Sequence, residues 1–296
     1  MAHRFLRPPV GIARRASSIL SRPHATHTIG ALEHELLANF PADDAESWDY
    51  TGLIAGDPRK AIKRVAIALD PTDKAIKRAQ ENGANVLVTH HPLRYDADEA
   101  IVPSECGMAR ASSVLWTALE SDVALMCFHT ALDVSLAAQQ VLPGMLGLKF
   151  ESVLAPILGS PRKGYGQVCS LLDADPLTLQ HLAARCLSVF GRPPRVWGDL
   201  DTQLSSIVTC TGSEGGCARK ALEAGCDCVV CGEIKYHEAL ALAEAGLCII
   251  ELGHDVSELP LVAPLAAAIE KAGVAKEDII LIDQSGYWCC PEAVRI

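Results

Sequence analysis

Four histidines and two carboxylates are the side chains of this chain best placed to do chemistry. His90 and His91 are neighbours, while His129 precedes Asp133, and His254 precedes Glu258, by the same offset of four residues. Neutral imidazole nitrogen with carboxylate oxygen suits zinc, iron, manganese, cobalt or nickel, and no thiolate among the six selects strongly for zinc. An offset of four puts both members of a pair on one face wherever a helical turn follows. On a regular strand His90 and His91 would face opposite ways, but a strand end need not keep the pleat, and Pro92 donates nothing to a ladder. Two adjacent imidazoles can then address two different ions, and carboxylates can bridge ions about 3.5–4 Å apart. One histidine alone reads as a satisfied core or surface side chain. The repeated pairing, each at a strand end, favours divalent metal.

The elements that must hold these groups recur along the chain as a helix, a small or polar turn residue, a short apolar strand, and then polar residues. Residues 73–82 lead through Gly83 to the strand 85–89 and then His90-His91. Residues 108–120 lead through Asp122 to 123–128 and His129. Residues 217–224 lead through Gly225 to 228–231 and Glu233, and residues 237–245 lead through Gly246 to 247–250, Glu251 and His254. Helices alternating with wholly apolar strands imply an α/β fold with mostly parallel sheets flanked by helices. In such sheets ligands sit beyond the carboxyl ends of the strands, which is where these histidines fall. Further strands are expected at 64–69, 206–210 and 279–282, and a helix at 176–191. Pro156, Pro161, Gly164 and Gly166 mark a joint between lobes. Ser257 reads as a helix N-cap before Leu259-Pro260.

Other features carry weaker chemistry. The run Gly212-Ser213-Glu214-Gly215-Gly216 follows a strand and precedes a helix, so its N–H groups could cradle an anion; turns of this composition are more often only turns. Glu233, Tyr236 and His237 lie just past a strand end and offer acid–base groups, substrate contacts, or plain surface polarity. Cys226, Cys228 and Cys231 resemble a metal cluster in spacing, but they fall on a predicted strand that would turn Cys226 and Cys228 one way and Cys231 the other, so core packing is favoured.

Composition narrows the class. The chain has 296 residues, a formal net charge of -10 and 5% aromatic residues, without a Lys/Arg run, which disfavours direct nucleic-acid binding. No run of ~18 apolar residues occurs, so no membrane span is expected. Twelve cysteines lying in apolar runs suit a reducing compartment better than a disulfide framework. Residues 1–27 hold Arg4, Arg7, Arg14, Arg15 and Arg22 and no acid. They are either a disordered extension of a cytoplasmic protein or an organelle transit peptide, which would make the protein mitochondrial.

The segments 46–54 (AESWDYTGL), 88–93 (VTHHPL), 129–133 (HTALD), 212–216 (GSEGG), 231–240 (CGEIKYHEAL) and 253–258 (GHDVSE) resemble the Nif-three-like dinuclear metal-centre proteins, also labelled GTP cyclohydrolase 1 type 2 homologues. The resemblance runs in order from about residue 28 to the C-terminus and departs from the usual residues at Tyr50 and Cys231. It implies a two-lobed fold in the compact form without an inserted domain, with a first lobe over 28–150 and a second over 151–296. It also implies a toroidal homohexamer and two divalent ions per subunit, with His90, His91, Asp133, His254 and Glu258 as ligands and His129 beside them. Two functions fit: a metal-dependent hydrolase acting on a nucleotide or phosphoester, with His129 or His237 moving protons, and a non-catalytic metal carrier or scaffold for a partner protein.

Overall fold

The computed structural model describes residues 28–93, 100–103, 111–172, 176–213 and 215–289; the basic leader, residues 108–110 of an expected helix, Glu214 and Cys290 lie outside them. Helix α1 (Ile29–Asn39) begins where the Thr28 hydroxyl accepts the Ala31 N–H, an N-cap that satisfies one otherwise orphaned donor. It lays Ile29, Leu32 and Leu36 on the first sheet. That sheet contains β1 (Gly52–Ala55), β2 (Val65–Ala68), β3 (Val86–Thr89) and β4 (Ala124–Cys127), linked by α2 (Asp73–Glu81) and α3 (Ala111–Glu120) and followed by α4 (Thr130–Asp133) and α5 (Val141–Met145). Strands β2, β3 and β4 are parallel, and every one of their residues is buried, as expected for a sheet covered on both faces.

The second sheet has β5 (Leu148–Ile157), β6 (Ser160–Leu171), β8 (Arg195–Trp197), β10 (Ile207–Thr209), β11 (Cys228–Cys231) and β12 (Cys248–Glu251) in the order β5-β6-β10-β11-β12-β8, while β7 (Leu177–Thr178) and β9 (Gln203–Leu204) form a separate ribbon. Helices α6 (Leu179–Phe190), α7 (Gly215–Glu223) and α8 (Tyr236–Glu244) supply its layers. Four helix-to-strand turns close through a left-handed residue, at Gly83, Asp122, Gly225 and Gly246; three are glycine, and the fourth is an aspartate, one of the few side chains tolerated there.

Three expectations change. Residues 156–166 are not a joint: β5 and β6 pair as a long antiparallel hairpin, and Pro156 and Gly164 face each other across it. The hairpin absorbs both breakers at an irregularity between Pro156 and Ile157, and a Cβ on Gly164 would lie 2.1 Å from the Ala155 carbonyl oxygen. The second sheet is accordingly mixed, with only β10, β11 and β12 parallel to one another and β6 and β8 antiparallel to their neighbours. Finally, the chain does not stay in the second lobe. After α9 (His254–Glu258), helix α10 (Val262–Lys271) packs Leu265 and Ile269 into the core of the first sheet, and β13 (Ile279–Leu281) pairs in parallel with β2.

The cysteine cluster is core. Cys228 points into one apolar cluster of the second lobe, whereas Cys226 and Cys231 join the other. Cys226 precedes β11 rather than lying in it, so the strict alternation expected for it does not apply. Burial, with Cys248 and Cys186 nearby, pushes the Cys228 thiol well above its ordinary value, away from the thiolate a metal would need.

The return of the chain to the first lobe can be tested by truncating one side chain. Leu265→Ala should cost about 2–5 kcal/mol in urea unfolding and speed hydrogen exchange in β2, because a buried methyl cluster leaves a cavity. A variant with exchange raised only in the second sheet would contradict the packing of α10.

Candidate metal centre

The carboxyl ends of the parallel strands in the two sheets meet, and the six sequence-selected donors lie where they meet. His90 and His91 follow β3, and His129 follows β4, with Asp133 at the end of α4. His254 and Glu258 begin and end α9, which follows β12 in the other lobe. Among the described residues, two donor groups form that could hold an ion: His90, His91 and His129, and His91, His254 and Glu258.

Each imidazole is held by one nitrogen and offers the other. His90 Nδ1 is 3.2 Å from the Phe128 carbonyl, His91 Nδ1 is 2.8 Å from Asp70 Oδ1, and His254 Nδ1 is 2.9 Å from Glu233 Oε1. A ring N–H bonded in this way sets the tautomer of the neutral ring and aims the Nε2 lone pair inward. His90 Nε2 then faces Asp133 Oδ1 at 3.5 Å and Glu258 Oε1 at 3.7 Å. Glu258 Oε2 lies 2.9 Å from His91 Nε2 and 3.1 Å from His254 Nε2. His129 Nδ1 is 3.3 Å from Asp49 Oδ1, and its ring centroid lies 5.2 Å from that of His90.

The donors fit a divalent cation on one observation. His90 Nε2, Asp133 Oδ1 and Glu258 Oε2 are buried and lack aligned hydrogen bonds, though they crowd one another. Buried polar atoms without partners are costly, and a cation that accepts lone pairs from all of them removes that cost. The charges agree. Burial raises the Asp133 carboxyl above its ordinary value, with His90 opposing and Glu258 adding, so this carboxylate lacks sufficient positive charge nearby. Burial pushes Glu258 the same way, but His254, His90 and His91 outweigh it and hold the group well below the carboxylate range. Burial also works against protonation of His91, yet Asp70 and Glu258 push it up to about 10; Glu258, with Glu233 assisting against burial, pushes His254 up to about 9.

A cleft of about 630 Å³ opens beside these groups, lined by Asp133, His129, His254 and Glu258 together with Trp48, Tyr165 and Lys220. Trp48 meets His129 edge to face, with centroids 5.8 Å apart. Gly212 and Ser213 also line it, but the proposed anion cradle is compromised: the Gly212 N–H already donates to Ser257 Oγ at 2.9 Å. Gly212 serves another purpose, since a Cβ there would lie 2.3 Å from Glu258 Oε1. Gly215 opens α7. Ser257 is not an N-cap, because it lies inside α9, where its hydroxyl donates to the His254 carbonyl. His237 is exposed on α8 with its ring against Tyr236, and it belongs to neither donor group nor to the cleft lining.

Sequence reasoning missed two carboxylates, Asp70 and Asp49. Asp70 follows β2 and anchors His91. Asp49 has a buried side chain; burial is outweighed by His129 and Thr130, which hold its carboxyl well below the ordinary range. Its Oδ2 accepts both the N–H and the hydroxyl of Thr130 at the start of α4. The only advance signal for Asp70 was its place after a strand, and for Asp49 its place in the segment 46–54.

A family model described as Duf34/NIF3 (NGG1p interacting factor 3) matches residues 27–285. A Streptomyces coelicolor protein named GTP cyclohydrolase 1 type 2 homolog is 31% identical over 245 residues, covering 80% of this chain and 82% of its own. A Schizosaccharomyces pombe protein named Protein NIF3 homolog is 28% identical over 259 residues, covering 80% and 88%. Among solved structures, a hypothetical protein of Staphylococcus aureus superposes with a TM-score of 0.77 at 24% identity, over 88% of this chain and 98% of that one. A Bacillus cereus protein related to NIF3 gives 0.74 at 18% identity, over 86% and 96%. At these identities the structural likeness speaks for the fold.

Two outcomes are expected. His90→Ala and His254→Ala should each hold well under half the metal of the parent protein by elemental analysis of tag-free samples, and unchanged stoichiometry in both would remove the assignment. The second concerns pH. In the metal-free protein the raised pKa values of His91 and His254 give stability that is complete below the unfolded value of ~6.5 and is lost as pH climbs through about 9 and about 10. Metal-ligated imidazoles are already deprotonated. The melting-temperature gap between zinc-loaded and metal-free protein should therefore widen over that window, and a constant gap would contradict the electrostatic picture.

Proposed function

The chain belongs to the Duf34/NIF3 family, and from that premise we propose that its cleft holds two divalent metal ions and hydrolyses a nucleotide or another phosphoester. The carrying observation is Glu258, which turns one oxygen to His90 and the other to His91 and His254. With one oxygen toward each set of imidazoles, such a carboxylate would hold a cation on either side; His91 offers only Nε2, its Nδ1 being held by Asp70, and would serve one of them. His90, His91, Asp133, His254 and Glu258 are the ligands in this reading. Their nitrogen and oxygen donors accommodate zinc, iron, manganese, cobalt or nickel.

When bound, the ions supply Lewis acidity, which polarises a substrate oxygen and makes an attacking water more acidic. The chain's own groups do the rest. Asp49 lies beside His129 Nδ1, and His129 lines the cleft, where its imidazole can take or return a proton. Lys220 offers an ammonium to phosphate oxygens, and Trp48 and Tyr165 offer flat faces to a heterocycle. The name carried by the bacterial relatives points to opening of the purine ring of GTP as one reaction to assay. His237 is not part of this machinery.

A homohexamer is proposed as the assembly, a mass near six times 31.5 kDa by light scattering being its check. Among the described residues no disulfide joins two cysteines, which supports a reducing compartment such as the cytoplasm or the mitochondrial matrix. Among the described residues no helix is long and apolar enough to cross a membrane.

The test is a panel of nucleoside phosphates and simple phosphoesters offered to metal-loaded protein. Turnover should appear on at least one, and His129→Ala should lower it about 10²–10⁴-fold while retaining bound metal. Metal lost in His129→Ala would make that residue a ligand. No turnover across the panel, with metal exchanging freely, would instead make the cleft a metal carrier or scaffold.

A further inference from the structure

One wall of the cleft carries chemistry that metal binding does not use. Cys210 directly follows β10, Cys217 lies in the first turn of α7, and their sulfurs are 2.8 Å apart. The bond between sulfurs in a disulfide is about 2.03–2.05 Å, so closure requires an approach of about 0.8 Å. Gly212 lies in the segment between them, and Gly215 and Gly216 open α7, residues that adjust their backbone readily. Gly166 keeps the seat clear from the other side, since a Cβ there would lie 2.5 Å from Cys217 Sγ.

We propose that Cys210 and Cys217 form a reversible disulfide, made by hydrogen peroxide or a comparable small peroxide that enters through the cleft. The two cysteines are placed unequally. Cys217 lines the cleft and is 6% exposed, whereas Cys210 lies behind it at 1% exposed. Cys210 donates its S–H to Cys217 Sγ, which leaves Cys217 as the sulfur that faces the cleft. Cys217 is therefore the sulfur that attacks. Its sulfur bonds to one peroxide oxygen, the O–O bond breaks, and the departing hydroxide takes the thiol proton and leaves as water, giving a sulfenic acid. The Cys210 sulfur then attacks that sulfur, the S–O bond breaks, and hydroxide takes the second thiol proton as another water. Two thiols lose two electrons, and one peroxide becomes two waters. A dithiol reverses the bond by exchange.

The link would tie the start of α7 to the end of β10, across the loop that sets Gly212 against Glu258. It is a modification site on the rim of the metal cleft, and its detection needs neither metal nor turnover.

Tryptic peptide 196–219 contains these two cysteines and no others. Pre-reduced full-length protein treated with equimolar hydrogen peroxide and then unfolded in an alkylating reagent should yield this peptide unalkylated and about 2 Da lighter than its dithiol form. Dithiothreitol should restore both alkylation sites. Cys210→Ser should leave a sulfenic acid on Cys217 that dimedone traps, while Cys217→Ser should leave Cys210 a free thiol. The idea fails if both cysteines remain alkylatable while exposed Cys289 is oxidised, or if Cys217 proceeds to sulfinic acid without crosslinking in the parent protein. The parent measurement decides the matter even where a serine variant does not fold.

Discussion

Glu258 carries a carboxylate out of the second lobe and buries it, 3% exposed, against two imidazoles of the first. An unpaired buried charge of this kind would be untenable, and much of the architecture follows from the need to compensate it. β12 and the five-residue α9 fix where Glu258 begins and points. Gly212 approaches so closely that no side chain could stand there, and its N–H steadies Ser257 beside Glu258. The same contact bridges the two lobes, so the site exists only when both sheets are formed.

Around this contact stands a second tier of acceptors: Asp70 behind His91, Glu233 behind His254, the Phe128 carbonyl behind His90, and Asp49 beside His129. The first three each hold one ring nitrogen and thereby aim the other. Without metal the site balances itself by keeping protons on the imidazoles, which explains why His91 and His254 titrate so high. With metal, cation and proton compete for the same lone pairs. Asp133 is the group that protons on histidine compensate least, and it has most to gain from a cation.

The ligands were legible in sequence because chemistry and topology coincide there: parallel strands bring their carboxyl ends together, and an offset of four residues pairs His129 with Asp133 and His254 with Glu258 on short helices. Glu233 was legible as a strand-end group, though not as the partner of His254. Asp49 and Asp70 were not found, because they reach histidines 80 and 21 residues away and no local period records such a contact. Local reading also failed at the hairpin of β5 and β6, where Pro156 and Gly164 look like breakers but share one irregularity. Likewise β13 reads correctly as a strand, yet nothing in its own residues says that it pairs with β2. His237 has the right residue type near a strand end, but its place at the start of α8 leaves it in solvent.

X-ray absorption at the metal edge of tag-free, zinc-loaded protein tests the convergence of these side chains most directly. Nitrogen and oxygen scatterers at about 2.0–2.2 Å, with the outer-shell signature of imidazole and no sulfur, are the expected first shell. A metal neighbour at about 3.5–4 Å would complete it. Sulfur at about 2.3 Å would place the metal among the cysteines instead and contradict the account.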